Sequence, residues 1–152
     1  MKNRGLSYHH GNLRSALVDA ALERLERGER VTALSVRVLA VACGVSAGAP
    51  YRHFPSSDSL IAAVATRGFE MLDASLAGSR DLVDMGVAYV RFAHRHPELY
   101  RAMFHFPQRE LGEHAELAAA AEATYERLAA IVRGGAHAET GGAERVVELS
   151  TA

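Results

Sequence analysis

The stretch GVSAGAPYRHF, residues Gly44 to Phe54, places Tyr51, Arg52 and His53 side by side behind a run of very small residues. Tyr51 and His53 carry polar tips suited to phosphate oxygens, and a helix N-terminus with its unpaired amides favours anions as well. Ala47, Gly48 and Ala49 leave the first turn of a short helix nearly bare. Such a turn lets the backbone approach base edges closely when the N-terminal end of the helix enters a major groove. Ser46 stands where it would cap that helix. Pro50 removes only the donor that would meet the Ser46 carbonyl, so its cost falls well below the ~3 kcal/mol of an interior proline, although it disfavours the helical region for Ala49. This is chemistry of DNA recognition.

Other reactive groups do not assemble into a site. The chain has no Gly-rich phosphate loop, no nucleophile elbow and no His and Asp neighbours at a useful spacing, so no catalytic residue and no cofactor is expected. His94, His96, His105 and His114 invite a metal reading. His94 and His96 are two apart, however, on different sides of a helix, and lack the spacing of a ligand pair; no metal is expected. The single cysteine, Cys43, excludes an internal disulfide and fits a reducing cytoplasm. It follows an apolar pattern and is expected to be a buried structural thiol. The N-terminus lacks the apolar core of a signal peptide, and no run approaches the ~18 apolar residues of a membrane helix.

Net charge is −1, but residues 1–57 hold eight Lys or Arg against four acids, while the remainder holds nine against fourteen. A basic first third on an acidic body is the footprint of a nucleic-acid-binding head.

Helical periodicity dominates the elements that must position these groups. A first helix starts at Asn12 and stops at Gly28, with Leu13, Leu17, Ala21 and Leu25 on one face. Ser35 caps a second helix carrying Val36, Val38, Leu39 and Val41, which Gly44 ends. The chain restarts almost at once, giving a helix-turn-helix, and Phe54 and Pro55 close the third helix. Ser57 caps a fourth, with Leu60, Ile61, Val64, Gly68 and Leu72 as a buried stripe. A fifth helix carries Leu82, Met85, Tyr89, Phe92 and His96; Pro97 opens a short sixth; a seventh spans Glu113 to Arg133. GGAHAETGG reads as a loop before an eighth helix.

LSVRVLAVACGVSAGAPYRHFPSSDSLIAAV resembles the DNA-binding segment of the TetR/AcrR family of bacterial transcriptional regulators, through Val45, Ser46, Gly48, Tyr51, His53 and Phe54. YHHGNLRSALVDAALERL and AYVRFAHRHPELYRAMF are similar to segments of the branch named for a Trp-His-Gly stretch, although that stretch is absent here. The resemblance implies that Ser46, Ala47, Gly48 and Ala49 face bases, that Tyr51 and His53 hold phosphates, that Ser35 touches the backbone, and that Arg4 reaches a minor groove. Arg37 stands equally as a DNA contact or as one half of an ion pair within the platform. The family's Lys at the start of helix four is replaced by Ser57 and Asp58, which weakens one backbone contact. Tyr89, Phe92, His96, Tyr100, Met103 and Phe104 cluster where the family lodges its effector, and each also suits a core position. Relatives of this kind carry two further terminal helices that form their dimer interface.

The expectation is an all-α protein, with a three-helix DNA-binding domain over residues 1–56 and a helical ligand-binding and dimerisation domain over residues 57–152. The function expected is a cytoplasmic repressor that binds a palindromic operator as a homodimer and is released by a small-molecule effector, with no membrane association. The rival from another class is a helical enzyme or carrier with a degenerate DNA-binding head.

Overall fold

The computed structural model describes residues 12–149, with side chains described over 12–134. Six α-helices occupy these residues: α1 (Leu13–Glu26), α2 (Val36–Ala42), α3 (Ser57–Leu76), α4 (Leu82–Arg95), α5 (Pro97–Met103) and α6 (Ala115–Leu149). Three 3₁₀ segments lie between them, at Val31–Ala33, Pro50–Arg52 and Gln108–Glu113.

The first two helices begin and end by local chemistry. The Asn12 side chain accepts from the Ser15 amide at 3.1 Å, and the Ser35 hydroxyl oxygen accepts from the Val38 amide at 3.2 Å. Both helices end in a glycine at positive φ, Gly28 at 86° and Gly44 at 67°. Behind Gly44 the amides of Gly44 and Val45 close back onto the Val41 and Ala40 carbonyls, each at 3.1 Å. This pairing of the last carbonyls needs a left-handed residue, which glycine adopts without strain. It turns the chain sharply into the segment from Ser46 to Phe54.

α3 is the spine. Its N-cap is Ser56 rather than Ser57, because Ser56 and Ser59 exchange side-chain-to-amide bonds of 3.1 and 3.2 Å in a capping box. Ten of its twenty residues are buried. α1, α4, α5 and α6 all pack on it, and one continuous core runs from Leu17 in α1 to Leu117 in α6. α5 seats on α3 at Gly68, where an added Cβ would lie 2.5 Å from Met103 Cγ. α6 is tied to α3 twice. Thr124 donates to the Phe69 carbonyl at 3.3 Å, and Arg127 forks onto Asp73, its Nη2 at 2.9 Å from Oδ2.

Two expectations about the body are corrected. The seventh helix starts at Ala115 rather than Glu113, because Gln108–Glu113 is a 3₁₀ segment. GGAHAETGG is not a loop: α6 runs through it to Leu149 and absorbs the expected eighth helix. Each glycine costs a helix about 1 kcal/mol, but the Ala, Glu and Arg around them are strong helix formers, and none of these glycines is followed by a proline that would force a stop.

Candidate nucleic-acid interface

The segment after Gly44 is a tight succession of turns rather than the expected α-helix. The Ala49 amide bonds the Ser46 carbonyl at 3.1 Å, Arg52 bonds Ala49 at 3.4 Å, and His53 and Phe54 both close on the Pro50 carbonyl at 2.9 Å. Only the last of these has α-helical spacing. With no N–H on Pro50, the Ser46 carbonyl is taken one residue early, which tightens the segment into 3₁₀ form. Ala49 adopts helical angles (φ −61°, ψ −43°) in spite of the following proline, and no side chain caps the 3₁₀ segment, so the expected Ser46 cap is not formed.

Pro50 and Phe54 are fully buried. They act as pegs that hold the segment to its platform, and what lies between and before them points outward. Ser46, Ala47, Gly48, Arg52 and His53 are exposed, Tyr51 is 46% exposed and Ala49 half-buried. Among the described residues, and apart from its chain neighbours, nothing lies within 4 Å of where a Cβ on Gly48 would be, and Gly48 is not at positive φ. Among the described residues neither packing nor backbone geometry requires a glycine there.

Ser35 is half-buried, and its oxygen is engaged by the Val38 amide; the hydroxyl proton is left to donate outward. Arg37 is exposed and, among the described residues, pairs with no carboxylate, so the ion pair within the platform is not formed there. Arg4 lies outside the described residues. Cys43 is half-buried rather than fully buried, its sulfur 3.8 Å from the Ala16 carbonyl. Burial, and secondarily the Glu23 charge, pushes its thiol up, away from the reactive thiolate.

Two residues of this region have no role assigned from the sequence. Arg52, between two residues chosen for their anion-binding tips, is exposed and without a carboxylate partner among the described residues. Arg14 in α1 lies over the Phe54 ring, its Cζ 5.6 Å from the centroid, and pairs with Glu116 in the first turn of α6. The peg beneath the reading segment is thus bridged to the body. A crevice of about 220 Å³ opens at this junction, lined by Arg14, His53, Phe54, Thr66, His114 and Leu117 among others.

The six residues expected around an effector separate into two groups. Phe92 and Met103 are core. Tyr89, His96 and Tyr100 are half-buried, and Phe104 is 54% exposed. Tyr89 meets Tyr100 edge-on with the two hydroxyls 2.9 Å apart, Tyr100 lies 4.9 Å from Phe104, and Phe104 meets Phe69 at 5.7 Å. His96, the joint between α4 and α5, lies tilted against Phe92, the ring centres 5.1 Å apart. Burial, then the hydrogen bond and charge of Tyr100, pushes the Tyr89 phenol up to about 12, so it remains a neutral hydrogen-bonding group at any ordinary pH.

A tripod of α1, α2 and a protruding reading turn, fused through α3 to a helical body, defines a helix-turn-helix DNA-binding protein. Residues 17–64 match the family described as bacterial regulatory proteins, tetR family, and residues 82–152 match the tetracyclin repressor-like C-terminal domain. The chain belongs to the TetR family of transcriptional regulators, which are not enzymes. Among solved structures it is similar to a protein of unknown function from Rhodococcus sp. RHA1, at 33% identity and a TM-score of 0.70, over 88% of this chain and 72% of that one. It is also similar to a candidate transcriptional regulator from Pseudomonas aeruginosa PAO1, at 22% identity and a TM-score of 0.47, over 84% of this chain and 66% of that one. No curated protein matches. No helix among the described residues is long and apolar enough to cross a membrane.

Proposed function

We propose that this regulator is a cytoplasmic repressor that binds a palindromic operator as a homodimer and releases it when a small molecule enters the body. Residues 1–56 form the DNA-binding head and 57–152 the responsive body. Ser46, Ala47, Gly48 and Ala49 meet base edges, while Tyr51, His53 and the Ser35 hydroxyl hold phosphates. Arg37, free of carboxylates among the described residues, adds a backbone contact, as does Arg52. Arg4 reaches the adjacent minor groove. The observation that carries this reading is the placement of the segment: Pro50 and Phe54 are buried pegs, while Ser46, Ala47, Gly48, Tyr51, Arg52 and His53 face outward together, with open space around Gly48.

Two heads in successive major grooves stand about 34–36 Å apart. The aromatic row of Tyr89, Tyr100 and Phe104, with His96 beside it and Phe92 and Met103 beneath, receives the effector. Its occupation shifts α5 against α3, and the heads no longer reach both half-sites together.

The test is selection of duplexes from a random library, followed by fluorescence anisotropy across salt. Enrichment of an inverted repeat bound with a steep salt dependence is the expected result. Gly48→Leu is expected to abolish that binding without unfolding the protein, since space for the side chain is open. Normal operator binding by Gly48→Leu refutes the docking of this turn.

A further inference from the structure

From Ser35 to Phe54 the helix-turn-helix carries no Asn, Gln, Asp, Glu or Lys. Asn and Gln are the side chains that pair with adenine in the major groove, Asp and Glu those that accept from cytosine, and Arg and Lys those that fork onto guanine. Of this set only Arg37 and Arg52 stand in the segment. Arg37 follows the N-cap of α2, at the end of that helix away from the reading turn, and Arg52 lies beyond the buried Pro50. The part of the turn before Pro50 offers other chemistry. Ser46, Ala47 and Gly48 are exposed, and Ala49 is half-buried. The amides of Ser46, Ala47 and Gly48 bond no carbonyl among the described residues, but an amide donates as well to a purine N7 as to guanine O6 or thymine O4. The Ser46 hydroxyl is equally indifferent. The exposed group in this turn that tells one base pair from another is the Ala47 methyl.

We propose that the reading turn recognises thymine, the base's 5-methyl group seated against Ala47, so that each operator half-site carries a T·A pair where the turn enters the groove. This rests on the docking of the turn proposed above and adds the base that it reads. On the major-groove edge of a base pair the thymine methyl is the one apolar group; the other groups displayed there are hydrogen-bond donors and acceptors. The Ala47 methyl set against it forfeits no hydrogen bond. The same methyl set against the amino group of cytosine or adenine covers a polar group and returns nothing, so it also selects against the wrong pair. A methyl is short as well. With the two carbons about 3.5–4.0 Å apart, the Ala47 Cα comes within about 5–5.5 Å of the thymine methyl. The bare backbone of Gly48 next to it, with open space on its side-chain face, permits that approach. Arg37 and Arg52 then serve the phosphates.

The experiment uses the full chain with the duplexes that selection enriches, read by fluorescence anisotropy. Each thymine is replaced in turn by deoxyuridine, which removes the methyl and keeps the base pair. At one position in each half-site the change is expected to weaken binding about fourfold, and about fifteenfold with both half-sites changed, the worth of one buried methyl at each. Cytosine at that position should bind worse than thymine, and 5-methylcytosine, whose methyl stands at the same place in the groove, should recover about fourfold over cytosine. Ala47→Gly removes the partner methyl at an exposed position; with its fold checked by circular dichroism, it is expected to bind thymine and deoxyuridine duplexes alike. Binding that ignores deoxyuridine at every position keeps the DNA-binding reading and overturns thymine recognition. A deoxyuridine effect that survives Ala47→Gly undiminished sets the methyl against another residue and overturns the assignment to Ala47. A larger loss from 7-deazaguanine than from any deoxyuridine makes guanine, read by an arginine, the specifying base and overturns the proposal. If no duplex is enriched, the docking itself fails and this inference with it.

Discussion

Gly68→Ala tests how α5 is seated on the spine, and its sign depends on one neighbour. The new methyl would lie 2.5 Å from Met103 Cγ, 2.9 Å from its sulfur and 3.1 Å from Leu99 Cδ1, where carbon contacts normally sit at about 3.5–4.0 Å. α5 or the Met103 side chain must therefore retreat by about 1 Å, and Met103 is fully buried, with little room to do so. Overpacking of this kind costs about 1–3 kcal/mol, against about 1 kcal/mol gained from alanine's helix propensity. The net expectation is a loss of about 0–2 kcal/mol in urea unfolding, seen as a lower midpoint at unchanged slope. In a Met103→Ala background, itself costing about 2–5 kcal/mol, the two shortest contacts are gone and only the end of the Leu99 side chain, at 3.1 Å, must give way. The same Gly68→Ala change should then stabilise by up to about 1 kcal/mol. A cycle in which Gly68→Ala stabilises both backgrounds equally refutes the packing described. The position matters for function because α3 begins at Ser57, three residues after the buried peg Phe54, so a body helix that rides up on Gly68 moves the spine behind the reading turn.

Arg52→Ala should reduce the slope of log K against log salt by about 0.9 per copy, roughly 1.8 for a dimer, and weaken all duplexes alike; an unchanged slope would take Arg52 off the phosphates. The Asp73 carboxyl is held below the usual carboxylate range, first by its hydrogen bond from Arg127, with burial opposing and the Arg127 charge adding. A depressed folded value means that its stabilisation is complete above the ordinary range near pH 4 and is lost as pH falls through the lowered value. Asp73→Asn should accordingly lower the melting temperature at neutral pH and converge on the parent in strong acid, and a constant difference down to pH 2 would exclude the linkage. The Arg14–Glu116 pair is 45% and 69% exposed at its two side chains, so a double-mutant cycle should give a coupling below about 1 kcal/mol in stability. The same cycle read in hydrogen exchange should loosen the Phe54 amide in each single variant; exchange there that ignores both substitutions removes the bridge between head and body.

What could be read in the sequence is what short-range chemistry decides. Asn12, Ser35, Gly28 and Gly44 announce the ends of α1 and α2 because a cap or a left-handed turn involves only residues within a few positions of each other. The buried stripe of α3, from Leu60 to Leu72, follows from period alone. The same locality explains the errors. Ser56 and Ser57 are adjacent candidates for one cap, and the reciprocal bond with Ser59 decides for Ser56. By sequence Pro50 is a missing donor at the end of an α-helix, whereas its larger effect is to hand the Ser46 carbonyl to Ala49 and tighten the whole segment. Glycines in GGAHAETGG are breakers by propensity, a term that flanking helix formers override.

Contacts between distant residues had no such signal. Arg14 with Glu116 and Asp73 with Arg127 join residues 102 and 54 positions apart, and nothing in either sequence neighbourhood distinguishes them from the other arginines and acids of a surface. The aromatic row shows the limit from the other side. Helical spacing offers Phe92, Tyr100, Met103 and Phe104 as one aromatic and apolar row, but spacing cannot say which face of a helix is covered, and the fold sends Phe92 and Met103 inward while leaving Phe104 half exposed. The reading turn escapes that limit for a physical reason. Small residues inside a fold are small because something presses on them, as Met103 presses on Gly68; Gly48 has nothing pressing on it from its own chain. Gly78, Gly86, Gly112 and Gly134 share its open surroundings, so what sets Gly48 apart is its place beside exposed Ser46, Ala47 and Tyr51 on a segment pinned by Pro50 and Phe54.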